Sequence, residues 1–400
     1  MRPEYRSNPG LAHQLGIVAR VAARAVGRRL RGERTPDGRD EEFRAVLQPW
    51  VASLPQGAVA NQAFLRLSAT QPPWFDTGLD LDAGDNVTIL ANGRVYLSRL
   101  LDIWVPPWFQ IWCRIGRDGP IFRGTRNLQT FTASTAGRLW LANYFPGEWS
   151  DRNGGLATPE SEYAKVTGGT SILVLRWAPQ TDFARVLQSA IARPEAPALL
   201  AAEAERLSTP VATPPGRWEY LWFLGPAEIY RPSLAQDGRQ AIDCRTHGDT
   251  GILHRDARLP LAPGTRLRWS WRVDELPTDL PEDTLPSHEY LSIAVEFDDG
   301  QDVTYFWSSS LPVGTAFGCP LPNWKDRETH VVVRSGPAEL GQWLDEERDL
   351  HADYARFIGG PAREVVRVWL IANSLLTRGH GRCAYAGIDL VSGDRKIEVL

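Results

Sequence analysis

From Phe64 onward the chain alternates apolar and polar positions in short runs. Phe64-Leu-Arg-Leu, Asn86-Val-Thr-Ile-Leu, Arg94-Val-Tyr-Leu, Phe109-Gln-Ile-Trp-Cys-Arg-Ile, Arg138-Leu-Trp-Leu-Ala and Ser171-Ile-Leu-Val-Leu-Arg-Trp each read as a strand. Ala83-Gly-Asp, Ala91-Asn-Gly, Gly116-Arg-Asp-Gly and Phe145-Pro-Gly separate them as turns. A period of two broken by Gly, Asn and Pro is the pattern of antiparallel strands, whose side chains point alternately to opposite faces. The pattern returns after Trp218, with strands expected at 220–223, 266–273, 290–297, 303–307, 329–333, 365–372 and 384–391. Asp298-Asp-Gly-Gln-Asp302 lies between two of them and reads as a hairpin turn.

Two segments lack this period. On a helix, Leu11, Leu15, Val18, Ala22 and Ala25 share one face while Arg20, Arg24, Arg28 and Arg31 line another. Pro36, Asp37 and Gly38 end that helix, and Glu41 to Leu47 form a short second one. Residues 182–207 are rich in Ala and Leu and read as a helical connector, followed by a Pro-rich stretch over 209–216. The expected architecture is all-β: two antiparallel, jelly-roll-like sandwiches in series. Residues 1–50 form a basic helical arm, 51–180 the first sandwich, 181–215 the connector and 216–400 the second sandwich.

Composition supports this division. The 400 residues include 16 Trp but 1 Met, with 35 Gly and 30 Pro, a turn-rich and aromatic-rich balance suited to sandwiches. Eight Trp fall between Trp50 and Trp177 and eight between Trp218 and Trp369, one set per sandwich. The net charge of -4 conceals +6 over residues 1–34 and -10 beyond them. Near balance overall excludes a general nucleic-acid binder, whose affinity rests on clustered cations. The basic amphipathic arm suits either contact with an anionic membrane surface or acidic partner through residues 11–34, or packing on the acidic body of its own chain.

Arg20 and Arg24 interrupt the apolar run a secretory signal needs, and no stretch is apolar over 18 residues, so a cytoplasmic protein is expected. Cys113, Cys244, Cys319 and Cys383 form no C-x-x-C pair and are expected as buried free thiols. Nucleotide-binding and serine-hydrolase motifs are absent from the sequence.

Trp74-Phe-Asp-Thr-Gly-Leu-Asp-Leu-Asp-Ala-Gly-Asp-Asn-Val-Thr-Ile-Leu-Ala-Asn-Gly resembles the opening of the PA-I galactophilic lectin family. The likeness continues through Cys113-Arg-Ile-Gly and Gly137-Arg-Leu-Trp-Leu-Ala-Asn to Pro146-Gly-Glu-Trp-Ser-Asp-Arg-Asn-Gly-Gly, covering residues 62–178. The resemblance implies a sugar held on a calcium ion by loop oxygens. Tyr144 stands at the family's ligand aspartate and Arg152 at its second asparagine, leaving Glu148, Asp151 and Asn153 as candidate calcium ligands and Tyr96 as the approximate loop tyrosine. Calcium is thus the one cofactor suggested, with a turn capped by its own Asp and Asn as the alternative. Without a metal, Tyr96, Trp104, Trp108, Tyr144 and Trp149 are candidate stacking groups for a glycan or small organic ligand.

The second module is similar to an uncharacterised bacterial domain family of unknown function. The likeness rests on Trp218-Glu-Tyr, Ile242-Asp-Cys-Arg, Leu267-Arg-Trp-Ser-Trp-Arg-Val, Tyr305-Phe-Trp307, Val331-Val-Val-Arg-Ser-Gly336 and Asp353-Tyr354, spanning 216–392. His288-Glu289 and Asn373-Ser-Leu stand where that family carries acidic residues. His254, His288 and Glu289 are the candidate acid–base groups, with Asp298, Asp299 and His380 able to join them at one mouth of a sandwich. The sequence therefore supports first a binding protein using Trp-rich loops. It leaves open catalysis as a cofactor-independent cyclase, lyase or isomerase in a Trp-lined cleft, and a structural or assembly role.

Overall fold

In the computed structural model, residues 9–32, 40–194, 196–200, 203 and 209–400 are described. The chain is mostly β and divides into an N-terminal unit, Arg28–Val211, and a C-terminal unit made of Met1–Gly27 with Ala212–Leu400. Arg2, Arg6 and Arg34 of the basic arm, and the Pro36-Asp37-Gly38 break, lie outside the described residues.

The N-terminal unit is a sandwich with a helical flank. One sheet runs β1(Val59–Ser68), β8(Thr167–Trp177), β3(Asn86–Ser98) and β4(Ile103–Val105), with β6(Leu128–Thr132) also paired to β3. The other is β2(Trp74–Leu81), β7(Gly137–Asn143) and β5(Ile111–Ile115). Alternation sorts the central strands onto two cores. Ile89, Ile172 and Val174 pack with Leu139, Leu141 and Ile111 between the sheets. Leu90, Leu173, Leu175 and Trp177 point the other way, onto Phe43, Leu47 and Trp50 of α1(Asp40–Ala52) and Leu187 and Ile191 of α2(Phe183–Ile191).

Two local expectations are corrected here. Asn92-Gly93 is not a turn, because β3 runs unbroken through it and pairs Gly93 with Thr170. Gly93 has φ 131°, and a Cβ there would sit 2.3 Å from the Gly169 carbonyl oxygen, so the residue serves close strand approach. Phe109 and Gln110 belong to a single helical turn, Pro107–Gln110, entered by Pro106-Pro107.

The C-terminal unit sandwiches two larger sheets. One has the order β10(Tyr230–Leu234), β11(Gln240–His247), β20(His380–Ser392), β13(Arg266–Glu275), β18(Leu344–Asp349), with β21(Arg395–Glu398) on β20. The other has seven strands: β16(Ala316–Gly318), β17(Glu328–Ser335), β15(Asp302–Ser308), β14(Tyr290–Phe297), β19(Glu364–Asn373), β12(Thr250–Pro260) and β9(Glu219–Tyr220). All pairings are antiparallel except β15 with β17, which is parallel. The expected strand at 220–223 is thus shortened to its first residue beyond Glu219. The hairpin at Asp298–Asp302 forms, with Gly300 at φ 78°.

Between these sheets lie Trp269, Trp271, Tyr305, Trp307, Leu291, Ile293, Val295, Leu370 and Tyr385. The outer face of the seven-stranded sheet is also covered. Tyr290, Phe306, Val332, Trp369 and Ile371 pack there beneath Leu221, Leu311, Phe317 and Phe223. Cys113, Cys244, Cys319 and Cys383 are buried free thiols.

The N-terminal helix, Leu11–Leu30, forms as expected, but of its expected apolar face only Ala25 is buried. Ile17, Val21 and Ala25 are buried, whereas Leu11, Leu15 and Val18 are exposed. The reason lies in its polar anchors: His13 meets Asp283 at 2.9 Å and Arg24 meets Asp279 at 2.5 Å, which turns the i, i+4 row of Ile17 and Val21 inward. No described helix is long and apolar enough to cross a membrane.

Trp271 is fully buried and its indole N–H donates to Glu346 at 3.2 Å. Trp271→Ala is expected to lower the unfolding free energy by about 3–5 kcal/mol, the usual cost of emptying an aromatic site. Urea denaturation reads this directly, and a loss under about 1 kcal/mol would contradict the placement of this core.

Candidate functional sites

Two places gather chemistry, one in each unit. In the N-terminal unit, register places Asp76, Trp140 and Arg114 side by side across β2, β7 and β5. Residues two apart on a strand share a face, so Trp74, Trp112 and Arg138 belong to it too. This is the outer face, since Phe75, Leu139, Leu141 and Cys113 point into the core. The Arg114 guanidinium lies 4.0 Å from the Trp74 ring centre and 5.8 Å from that of Trp140. Arg117 approaches Trp140 at 5.8 Å as well. Arg138 makes a forked pair with Asp80 at 2.8 and 3.1 Å and reaches Asp76 at 3.2 Å. Arg114 also donates to the Asn153 carbonyl at 3.0 Å, and burial lowers its pKa against the pull of Asp118.

The loop after β7 covers only part of this face. Trp149 stacks on Trp74 with centroids 5.3 Å apart and meets Trp112 edge-on at 5.8 Å. Tyr144 packs on both Trp112 and Trp149, and burial pushes its hydroxyl pKa up. The expectation that Tyr144 and Trp149 offer faces to a ligand is therefore corrected: both are buried, with their rings taken by neighbours. Tyr96 is buried beneath Arg99, 4.2 Å from its ring centre. Trp104 is half-buried under Arg94 at 4.0 Å, and Trp108 is half-buried with its edge toward Phe109.

Among the candidate calcium ligands, Asp151 and Asn153 are exposed and Glu148 is half-buried. The Asp151 Oδ1 accepts the backbone N–H of Asn153 at 2.8 Å and of Gly155 at 3.1 Å. Those bonds, that of Gly155 first, lower its pKa. Asp151 thus caps its own turn.

In the C-terminal unit, the three expected acid–base groups have separate partners. His254 on β12 faces Trp369, with ring centres 6.1 Å apart, and burial lowers its pKa. Glu289 is buried and accepts the backbone N–H of Thr377 at 2.6 Å as well as the Thr377 hydroxyl. Desolvation raises its pKa to about 7 despite these bonds. His380 stacks on His247 at 3.8 Å, while Asp298 and Asp299 accept from Arg363 and Tyr354. The joint mouth expected for this set is not assembled.

His288 instead enters a buried group with Cys319, Glu328 and His330, whose ligand atoms lie within 4.8 Å of one another. Glu328 and His330 are two apart on β17, on the face that also carries Val332, and the short strand β16 delivers Cys319 beside them. His288 sits where the turn Leu285–Ser287 leads into β14. Its Nδ1 lies 2.7 Å from the Glu282 carbonyl oxygen, which can only accept, so Nδ1 carries the proton and Nε2 the lone pair. That Nε2 faces the Cys319 sulfur at 3.4 Å.

The Glu328 Oε1 accepts from Tyr290 at 3.3 Å and from Thr304 at 3.2 Å. Oε2 stands 3.4 Å from His330 Nε2. Phe317 stacks flat on His330 at 5.2 Å, and Tyr290 meets it edge-on at 4.8 Å. Burial, reinforced by His330, lowers the His288 pKa to about 3, so its imidazole is neutral. Burial opposes ionisation of Glu328, but His330 and His288 outweigh it and bring its pKa to about 2. Burial and the adjacent Glu328 push the Cys319 thiol up. His288 was legible as a candidate; Cys319, Glu328 and His330 were missed. The available signal was the Glu-x-His alternation in a strand, which sets both side chains on one face.

Residues 217–389, under half of the chain, match the family described as a protein of unknown function, DUF3047. No curated protein matches the chain. Among solved structures, the chain is similar to the EclA N-terminal domain, a PllA-like lectin, at 18% identity and a TM-score of 0.23, covering 30% of this chain and 99% of that one. It is also similar to the xyloglucanase domain of NopAA, a type three effector from Sinorhizobium fredii, in complex with cellobiose. That match has 12% identity and a TM-score of 0.30 and covers 46% and 100%. TmCBM61 in complex with β-1,4-galactotriose matches at 10% identity and 0.23, covering 44% and 90%. These are partial likenesses, and what each protein binds is a fact about that protein.

Thr377→Val would strip the hydroxyl from a carboxylate already removed from water. It is expected to destabilise the chain by about 1–3 kcal/mol, the cost of a buried acceptor losing its donor. An unchanged urea midpoint would contradict the burial of Glu289.

Proposed function

We propose that the N-terminal unit binds a glycan, or another small ligand with a flat apolar face, on the outer face of β2, β7 and β5. The observation that supports this most is the half-buried Trp140, flanked by Arg114 and Arg117 and in register with Asp76. A sugar ring presents C–H groups on one face and hydroxyls around its rim. An indole meets the first, and guanidinium and carboxylate groups meet the second. Strand residues hold such a platform more rigidly than loop residues do, which lowers the ordering cost of binding. Trp74, held between Trp149 and Arg114, borders the platform and is fixed by its N–H bond to the Gly154 carbonyl at 2.8 Å.

This reading keeps the ligand class expected from the Trp-rich sequence and moves the contact from the loops to the sheet. Trp108 at the edge of Phe109 is a secondary contact for a longer ligand. Glu148, Asp151 and Asn153 are not required, so binding is expected to be equal with calcium and with a chelator.

The test is titration calorimetry of the full chain with cellobiose and β-1,4-galactotriose, backed by a glycan array, for wild type and Trp140→Ala. Wild type is expected to bind at least one oligosaccharide. Trp140→Ala should weaken it about tenfold, the equivalent of a lost stacking contact, with an unchanged circular dichroism spectrum. No binding across the array, or equal binding by the variant, would contradict the reading.

A further inference from the structure

The group on the outer face of the seven-stranded sheet has no role in the proposed ligand site and lies in the other unit. We propose that His288, Cys319, Glu328 and His330 form a closed, structural zinc site.

The first argument is chemical. Two imidazoles, a thiol and a carboxylate supply the nitrogen, sulfur and oxygen donors that zinc takes in four-coordinate sites. Thiolate and imidazole together favour zinc over calcium or magnesium, which take oxygen ligands.

The second argument is geometric. Zinc bonds of about 2.1 Å to nitrogen and oxygen place tetrahedral neighbours about 3.4 Å apart, and a sulfur at about 2.3 Å lengthens the edge only slightly. The observed separations are 3.4 Å from Cys319 Sγ to His288 Nε2 and 3.4 Å from Glu328 Oε2 to His330 Nε2. The second exceeds the usual length of a hydrogen bond from nitrogen to oxygen, about 2.9 Å, while the first is also a length at which a thiol hydrogen-bonds an imidazole nitrogen. Both match the edges of a ligand tetrahedron.

The third argument is what the unused atoms do. A metal-binding imidazole usually gives its other N–H to a carbonyl or carboxylate, which fixes the tautomer. His288 does this through Nδ1 and the Glu282 carbonyl, leaving Nε2 to face the group. Tyr290 and Thr304 both donate to Oε1 of Glu328 and leave Oε2 turned to His330. His330 is completely buried, and neither of its ring nitrogens has a hydrogen-bond partner among the described residues. An imidazole whose Nδ1 has no hydrogen-bond partner and whose Nε2 meets only the Glu328 carboxylate, at 3.4 Å, is costly in an aromatic box, and coordination would relieve it.

All four residues are at most 2% exposed. Four buried protein donors complete a tetrahedral shell and make a site that holds structure, with no position for a reacting water. It would tie three pieces of chain: the start of β14, the residue after β16, and the start of β17. The chain between Cys319 and Glu328 would thereby be stapled to the sheet, carrying Trp324 onto Phe223 and Trp369. Binding by Cys319 releases the thiol proton to solvent, and the thiolate sulfur donates its electron pair to the ion with no change of oxidation state.

The test uses the full chain. Elemental analysis of the protein purified with zinc is expected to give about one zinc per chain, and chelation should lower the melting temperature. The chelated protein is then titrated with cobalt(II), whose bond to a thiolate gives a charge-transfer band in the near ultraviolet. Wild type should show that band and Cys319→Ser should lose it. Thr304→Val, which removes a support from Glu328 but no ligand, should weaken metal binding about tenfold or more. The wild-type titration decides the matter even if a variant fails to fold. A folded wild-type chain that carries no zinc and shows no cobalt–thiolate band would overturn the proposal, as would an undiminished band in folded Cys319→Ser.

Discussion

Strands β14 and β15 lie inside the seven-stranded sheet, and every residue of both is buried. One face of these two strands meets the other sheet and the opposite face is covered as well, so neither strand has a wet side. Any polar group placed on them must be satisfied from within the protein. The consequences run through the C-terminal unit. Tyr305 donates to Asp353 at 2.8 Å, and Arg348 clamps that carboxylate with two bonds of 2.8 Å. Trp307 donates to the Gly336 carbonyl, and Tyr385 to that of Ser292. Glu282 is bound by Ser308 and by the backbone of Ser309, although burial still raises its pKa to about 7. The pairing is not complete: the indole N–H of Trp269 and Nδ1 of His254 lack hydrogen-bond partners among the described residues, and in His330 both ring nitrogens do.

The N-terminal unit solves burial differently. Its five-stranded sheet is covered on both sides, by helices and by the smaller sheet. On the outer face of the smaller sheet, Trp149 and Tyr144 fold over Trp112, and Trp149 also stacks on Trp74. Beyond that cover, Trp140 is flanked by arginines rather than by apolar chains. A guanidinium over an indole can be displaced by a ligand without opening a core, whereas a ring inside one cannot. This difference separates Trp140 from Trp149 as a contact for ligands.

Most strands were legible in the sequence because alternation is a local signal. The run from Tyr290 to Phe297 was bounded correctly at both ends, and the Asp298–Asp302 hairpin followed from its turn residues. Errors arose where tertiary contact overrode local preference. Asn92-Gly93 carries a strong turn signal, yet Gly93 is used for close approach to Gly169. Leu11, Leu15 and Val18 share one helix face by spacing, but with His13 paired to Asp283 and Arg24 to Asp279 it is Ile17 and Val21 that are buried. The candidate sites were less legible still. His288 and Glu289 are adjacent in sequence but have unrelated partners, Cys319 for one and Thr377 for the other. Cys319 and His330 become neighbours of His288 only through strand order in the sheet, which no local pattern encodes.

The buried His288, Cys319, Glu328 and His330 group is tested most directly by X-ray absorption at the zinc edge on the protein loaded with zinc. One sulfur at about 2.3 Å with nitrogen and oxygen neighbours at about 2.0–2.2 Å is expected, which is the shell these four residues would supply. A zinc spectrum with no sulfur neighbour would contradict it.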